Sequence, residues 1–229
     1  MIITKKEFVK RVDEINFYFN LLENIEKKDA VLSFPREGDR QEPFNVKLVL
    51  TLKSAAMLLL YNLVESTVSN CLNSLHQTIS EESCNYEQLI EEVQKVWLKY
   101  QYKVLNEQNN INTGQLHWMI DILISTKCIE LSLEEGEKLT ASQFSGNLDD
   151  KEVVKIAKNY KINFDKSCPN LTVIKNKRNQ LAHGELSFAD SSTRHSIQYM
   201  EILKNNTVDF MQQFMDAVED YIAHKRFKR

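Results

Sequence analysis

The chain contains few of the residues that interrupt secondary structure. Glycine and proline together account for eight of its 229 residues (five glycines and three prolines), whereas they make up about 12% of an average protein. β-Sandwiches, barrels and α/β folds need many tight turns, so this shortage argues against them. Hydrophobic residues make up 42% of the chain and charged residues 27%, as in folded globular proteins. We therefore predict an all-α protein.

Patterns of metal, disulfide and nucleotide chemistry are also missing. The four cysteines are far apart and form no C-x-x-C pair, so we expect free thiols in a reducing compartment. Histidines and carboxylates show no ligand spacing, and we expect no metal site. The sequence has no G-x-x-x-x-G-K-[ST] or G-x-G-x-x-G segment, so we expect no cofactor.

Long apolar runs are scarce as well. Residues 1–6 lack the apolar run of a signal peptide. The most apolar stretch, residues 54–64, lies between Lys53 and Glu65 and is too short to span a bilayer. We therefore expect a cytoplasmic protein that does not contact a membrane.

The N-terminal part predicts one helix and a loop. Apolar residues recur at steps of four and three from Phe8 to Leu22, which predicts an amphipathic helix as far as about residue 28. Thr4 and Glu7 have the spacing of a capping box at its start. Residues 29–45 contain two prolines and a glycine, and this composition predicts a loop.

The rest of the chain predicts a helical domain. Residues 46–79 contain no glycine or proline and predict a buried central helix. Gly184 is placed to end the helix that precedes it. The further helices are predicted over about 85–105, 115–133, 149–160, 171–184 and 191–224. We interpret residues 1–45 as an elaboration of a core domain, residues 46–229, built as an up-and-down bundle with a long C-terminal helix.

One short segment carries residues suited to phosphodiester chemistry. Asn179 and His183 are four residues apart and share a helix face, while Arg178 lies about 140° from His183 around the axis. Arginine presents a planar fork that suits phosphate, and histidine exchanges a proton near neutral pH. Metal-free cleavage of RNA needs both functions. On spacing alone, a surface arginine and a histidine that stabilises a helix end explain the same residues.

The segment Arg178-Asn179-x-x-x-His183 resembles the R-N-x-x-x-H signature of the HEPN superfamily of helical nucleotide-binding domains. Residues 61–65 and 145–149 are also similar to features of HEPN-like nucleases from prokaryotic defence and toxin–antitoxin loci. The resemblance covers roughly residues 46–225 and implies a HEPN-like bundle.

This resemblance implies a metal-independent endoribonuclease whose active site forms where two copies of the chain pack their motif helices together. His183 would act as acid and base, Arg178 would bind the scissile phosphate, and Asn179 would orient one of them. Glu65 is a further candidate catalytic residue, with a carboxylate at a solvated helix edge as the other interpretation. The partners implied are RNA, a second copy of the chain, and an antitoxin or defence-system protein.

Basic residues concentrate near the motif. Residues 151–180 contain eight basic and two acidic residues, a surplus that suits an RNA backbone, although a solvated lysine face explains it too. Residues 225–229 hold four cations and one phenylalanine, which predicts either a frayed terminus or a segment that binds RNA by charge and stacking. The candidate RNA-binding residues are Lys151, Lys155, Lys158, Lys175 and Lys177.

A non-catalytic HEPN-fold module that binds RNA or a protein is the alternative function. In such a module Arg178 and His183 would have structural roles. A purely structural helical adaptor is the third possibility, and it would have no salt-dependent affinity for RNA.

Overall fold

A computed structural model of the chain describes residues 2–27, 30–38, 40–107, 113–124, 128–129, 147–192 and 195–229. In this part of the chain there are eight α-helices and one two-stranded sheet. The helices are α1 (Ile2–Ile25), α2 (Val46–Glu81), α3 (Glu91–Glu107), α4 (Thr113–Ile124), α5 (Asp150–Asn159), α6 (Asn170–Ala182), α7 (Phe188–Ser191) and α8 (Ile197–Ala223). The all-α prediction is confirmed.

Helix α2 is the centre of the fold, as predicted. The Asn45 side chain accepts a hydrogen bond from the Lys47 amide and so caps the helix start. Helices α1, α6, α7 and α8 all pack against α2, and fifteen of its residues are buried. At 36 residues it is longer than the C-terminal helix α8, which has 27.

By length and composition alone, α2 could cross a membrane, because an 18-residue window in it has a mean hydropathy of 1.5. The apolar part of this helix is thus longer than the stretch 54–64. The core helix of a soluble protein has the same properties, since neighbouring helices cover its apolar side. The absence of membrane contact stays a prediction.

Helix α1 packs along α2 in the opposite direction. The Thr4 and Ser74 hydroxyls lie 2.9 Å apart, and the Tyr18 hydroxyl donates to the Leu52 carbonyl over 2.9 Å. The predicted apolar stripe of α1 is buried apart from Val12, which is partly buried. The predicted capping box is wrong, because the helix begins at Ile2 and Thr4 is 3% exposed inside it. The hydrogen-bond partner of the Thr4 hydroxyl is the Ser74 hydroxyl of α2 and not a backbone amide of α1.

The predicted loop at residues 29–45 contains a β-hairpin. Strands β1 (Val31–Phe34) and β2 (Arg40–Pro43) pair antiparallel, with Leu32 opposite Glu42. Pro35 begins a one-turn 3-10 helix that ends before Gly38, whose φ of 74° places it in the left-handed region. Most side chains of the two strands are exposed, so the sequence carries little of the alternation that predicts a strand.

Helices α5 and α8 run parallel to α2, and α6 runs antiparallel to it. The Leu148 amide just before α5 contacts Tyr61, and Tyr160 just after α5 contacts His76. These two hydrogen bonds attach α5 to α2 at both ends. The domain boundary at residue 45 stays a prediction.

Several helix ends differ from the predicted ones. Asn85 caps a one-turn 3-10 helix, Tyr86–Gln88, and α3 starts later. The last helix starts at Ile197 with Ser196 as its cap. The predicted end of the helix at 115–133 lies outside the described residues.

The C-terminal segment is docked rather than frayed. The Ile90 amide donates to the Phe227 carbonyl over 3.0 Å, and the Arg229 amide donates to the Gln88 carbonyl over 2.9 Å. The Phe227 side chain is fully buried, so it is not available to stack on a base.

Candidate active site

The motif helix α6 ends at the candidate histidine. Gly184 has a φ of 69°, a conformation that costs glycine little. Its amide donates to the Leu181 carbonyl over 3.2 Å, and the Glu185 amide donates to the Gln180 carbonyl over 2.9 Å. These two bonds form the Schellman motif that ends many helices. The chain turns away immediately after His183, whose side chain is exposed.

The Arg178 guanidinium is held by three neighbouring groups. Its Cζ atom lies 5.0 Å from the centre of the Tyr61 ring, in the range of a cation–π contact. Its Nη2 atom is 3.6 Å from Glu65 Oε1, and Nη1 donates to Asn179 Oδ1 over 3.1 Å. The side chain remains 29% exposed. The cation is therefore fixed in position and open to solvent on one side.

Helix α2 supplies two of these groups from one of its turns. Tyr61 and Glu65 are four residues apart, so their side chains lie on the same face. Burial raises the pKa of Tyr61 to about 12, with a smaller opposing effect from the Leu148 amide and a further rise from the Glu65 carboxylate. The phenol therefore stays neutral at physiological pH.

The segment before α5 completes the arrangement. Asn179 Nδ2 donates to Asn147 Oδ1 over 2.7 Å, so one asparagine orients the other. Asp149 accepts from the Glu152 amide and caps α5. The Asp149 carboxylate lies 2.6 Å from Lys175 Nζ, and both side chains are less than one-fifth exposed. Burial opposes ionisation of Asp149, but the bonds from Lys175 and the Glu152 amide lower its pKa overall.

We refer to Tyr61, Glu65, Asn147, Arg178 and Asn179 as the Arg178 cluster. The predicted residues Arg178, Asn179 and Glu65 lie together in it, and His183 lies one helical turn beyond Asn179 on α6. The sequence analysis singled out the segments 61–65 and 145–149 but assigned no role to Tyr61 or Asn147. The spacing of four residues between Tyr61 and Glu65 was an available signal, whereas nothing local indicated the contact of Asn147 with Asn179.

The predicted RNA-binding lysines occupy three different settings. Lys151, Lys155 and Lys158 are exposed along α5. Lys175 is ion-paired and largely covered, and it joins α6 to the start of α5. Lys177 projects from another side of α6, where its charge assists burial in lowering the pKa of His195.

Among the described residues, no group of three or more histidine, cysteine or carboxylate side chains is arranged to hold a metal ion. The four cysteines, all within the described ranges, are free thiols.

Helix α6 packs against the central helix α2 and ends at the motif residues. The sequence profile of the MAE_28990-like HEPN family matches residues 4–227, and the chain belongs to this family. The match includes α1 and the hairpin, which the resemblance at residues 46–225 left out. No match was found among curated proteins or solved structures. HEPN-fold proteins are commonly ribonucleases or nucleic-acid-binding proteins.

Proposed function

We propose that the protein is a metal-independent endoribonuclease. The observation that carries the proposal is the fixed, partly exposed guanidinium of Arg178 on the same helix end as the exposed imidazole of His183. A positioned cation that needs no rearrangement stabilises charge on a phosphate in the transition state, and an accessible histidine transfers protons.

The proposed reaction is an attack by a ribose 2′-oxygen on the adjacent phosphorus. The new bond joins the 2′-oxygen to phosphorus, and the bond from phosphorus to the 5′-oxygen of the next nucleotide breaks. The products are a 2′,3′-cyclic phosphate and a 5′-hydroxyl. A base takes the 2′-hydroxyl proton and an acid protonates the leaving 5′-oxygen, so no other reactant is required.

In this proposal Arg178 binds the scissile phosphate and His183 transfers protons. Asn179 is a positioning residue, because its amide oxygen accepts from Arg178 while its amide nitrogen is fixed by Asn147. Glu65 holds Arg178 from the opposite helix. Lys151, Lys155 and Lys158 supply positive charge for the RNA backbone beside this cluster.

Two proton transfers support a homodimeric site. One chain provides a single motif histidine, whereas cleavage needs a base and an acid on opposite sides of the phosphate. If two α6 helix ends meet, each chain contributes one His183 to a shared cleft. We further propose a cytoplasmic toxin or defence role, with an antitoxin or defence protein as regulator.

A non-catalytic binding module is the second candidate function. It is favoured by the complete set of internal contacts around Arg178, since an arginine that pairs with a carboxylate and stacks on a tyrosine can serve the fold alone. In this module the lysines of α5 bind RNA, and His183 has no chemical role.

Cleavage of a mixed tRNA and mRNA pool in excess EDTA tests the proposal. We expect the parent protein to leave 2′,3′-cyclic phosphate ends, and His183→Ala to reduce cleavage by at least about a hundredfold. His117→Ala, which changes an exposed histidine on α4, is the matched control. RNA binding without cleavage by the folded dimer would favour the binding module, and cleavage that EDTA abolishes would refute the mechanism.

A further inference from the structure

A basic hollow lies at the C-terminal end of the chain, apart from the Arg178 cluster. Its volume is about 620 Å³, and Ile90 contributes to its wall. Six basic side chains line it and define what we call the C-terminal hollow: Lys161, His224, Lys225, Arg226, Lys228 and Arg229.

The backbone holds these basic residues in place. Burial of Phe227 anchors the segment to the core, and Lys228 forms a β-bridge with Leu89. The Arg226 amide also donates to the Tyr221 carbonyl over 3.1 Å. A ligand that binds here therefore meets charges that are already positioned, which lowers the entropic cost of binding.

The hollow has more cations than paired carboxylates. Five lysine and arginine side chains line it. Three carboxylates form ion pairs with them, and the charges of Arg229 and Lys161 also help to lower the pKa of a fourth, Glu91. Arg229 donates instead to the neutral amide of Gln94 over 3.4 Å. The pairs are Lys225–Glu82, Lys228–Glu82, Arg226–Asp220 and Lys161–Glu92. Such solvent-exposed pairs are weak, so a phosphate group can replace a carboxylate at little cost.

Helix α5 connects the hollow to the Arg178 cluster. Asp149, which caps α5, bonds Lys175 at the motif helix, and its pKa also responds to the charge of Lys151. Lys155 and Lys158 continue along the exposed side, each about two-thirds exposed, and they form exposed ion pairs with Glu152 and Asp165. Lys161 follows the other end of α5 and lines the hollow. Exposed cations thus extend from one site to the other.

The length of α2 gives the distance between the two sites. Glu65 contacts Arg178, and Glu82 contacts Lys225 and Lys228. These two carboxylates are 17 residues apart along α2 and its cap, or about 25 Å at 1.5 Å per residue. A stacked nucleic acid strand with a rise of 3.4 Å per nucleotide covers this distance in about seven nucleotides.

We propose that the C-terminal hollow is a second binding site for RNA phosphates, and that one RNA strand occupies it together with the Arg178 cluster by following the lysines of α5. The proposal rests on the proposed function, because the RNA that reaches the hollow is the one bound at the cluster. It predicts a minimum RNA length for tight binding, which the cluster alone does not require.

Fluorescence anisotropy with labelled RNAs of 4 and 12 nucleotides tests this proposal. The full chain carrying His183→Ala is used so that the RNA stays intact. Into this background we introduce Lys161→Gln with Arg229→Gln, which removes two cations of the hollow. The matched control is Lys27→Gln with Lys47→Gln, which removes two exposed lysines near the opposite end of α2.

We expect the 12-mer to bind more tightly than the 4-mer. The hollow variant should bind the 12-mer about tenfold more weakly, with a salt dependence shallower by about 1.4 in log K against log salt, since each phosphate contact on a single strand contributes about 0.7. The affinity of the hollow variant for the 4-mer should change little, and so should the affinity of the control variant for both RNAs. Equal melting temperatures of the variants and the His183→Ala parent verify folding. Equal affinity for both lengths, or equal losses in both variants, would overturn this inference alone. Absence of any RNA binding by the parent would overturn the proposed function with it.

Discussion

Arg178 Nη2 lies 3.6 Å from Glu65 Oε1, and this contact joins the motif helix α6 to the central helix α2. The two residues are 113 positions apart in the sequence, so only the folded chain brings them together. Both side chains are about one-third exposed. The pair therefore contributes little to stability, and its effect on the position of the guanidinium matters more.

Replacing Glu65 should affect activity more than stability. Glu65→Gln removes the charge that holds Arg178, and we expect kcat/KM for RNA cleavage to fall roughly tenfold, or a little over 1 kcal/mol. The melting temperature should change little because both side chains are partly exposed, so that solvent screens the pair. Glu81→Gln, near the end of the same helix, is the matched control. Unchanged cleavage by Glu65→Gln would show that Arg178 needs no carboxylate partner.

Asn147 and Asn179 should act as one unit. Asn179→Ala removes the acceptor for Arg178, and Asn147→Ala removes the group that orients Asn179. Because the second residue acts through the first, we expect the double variant to lose no more kcat than Asn179→Ala alone. Steady-state kinetics of the two single variants and the double variant measure this coupling. Additive losses would mean that the two asparagines work independently.

Replacing Gly184 should lower both the free energy of unfolding and the activity that depends on the motif residues. Gly184→Ala places a Cβ atom in a left-handed conformation, at a cost of about 1 kcal/mol, and it shifts the chain next to His183. Nothing lies within 4 Å of that Cβ position, so the cost is conformational and not steric. Gly38→Ala is a matched control, since Gly38 also has a positive φ in open space.

Urea unfolding should show a similar loss of stability for both glycine variants. Cleavage should fall only for Gly184→Ala, because Gly38 lies in the hairpin. An equal loss of cleavage in the two variants would mean that the helix end does not position His183.

The local signals in the sequence predicted the helices, but they predicted a helix end correctly only where the end depends on neighbouring residues. Asp149 caps α5 and Gly184 ends α6 because each effect depends on neighbours within a few residues. The predicted capping box at Thr4 failed because a distant hydroxyl, that of Ser74, competes for the same side chain. Sequence alone does not reveal such a competitor.

Only part of the site was predicted, again because contacts between distant segments are not visible in the sequence. Arg178, Asn179 and His183 form a motif within one helix, whereas the Tyr61 ring and the Asn147 amide reach this motif only through packing of α2 and the segment before α5. Lys175 and Lys177 were grouped by their proximity in the chain. Two residues apart on a helix, they point to different sides, and the structure separates them.

Acid should destabilise the protein through His76. This imidazole is buried and its Nε2 atom lies 2.7 Å from the Tyr160 hydroxyl, and burial lowers its pKa from 6.5 to about 4. Between these pH values the unfolded chain binds the proton and the folded chain does not. The free energy of unfolding therefore falls as the pH decreases from about 6.5 to 4, by on the order of 3 kcal/mol.

Chemical unfolding at a series of pH values measures this contribution. We expect His76→Leu to lose most of the slope between pH 6.5 and 4. His117→Leu, which changes an exposed histidine on α4, should retain the slope. If the two variants behave alike, other groups account for the acid sensitivity.

Phe227 should be a core residue despite its place near the end of the chain. Phe227→Ala empties a fully buried position against Tyr221, and we expect a loss of roughly 3 kcal/mol in the free energy of unfolding. Phe17→Ala, at a position that is 76% exposed, should change stability little. Equal melting temperatures of the two variants would indicate that the C-terminal segment is frayed in solution.

The Arg178 cluster is assembled from three distant parts of the chain, and this order has a consequence during synthesis on the ribosome. A nascent chain that has reached only residue 170 carries Tyr61, Glu65 and Asn147 but neither Arg178 nor His183. The residues of α8 and the docked segment emerge later still. The proposed ribonuclease activity therefore requires that Arg178 and His183 have been synthesised and that α6 has packed against α2.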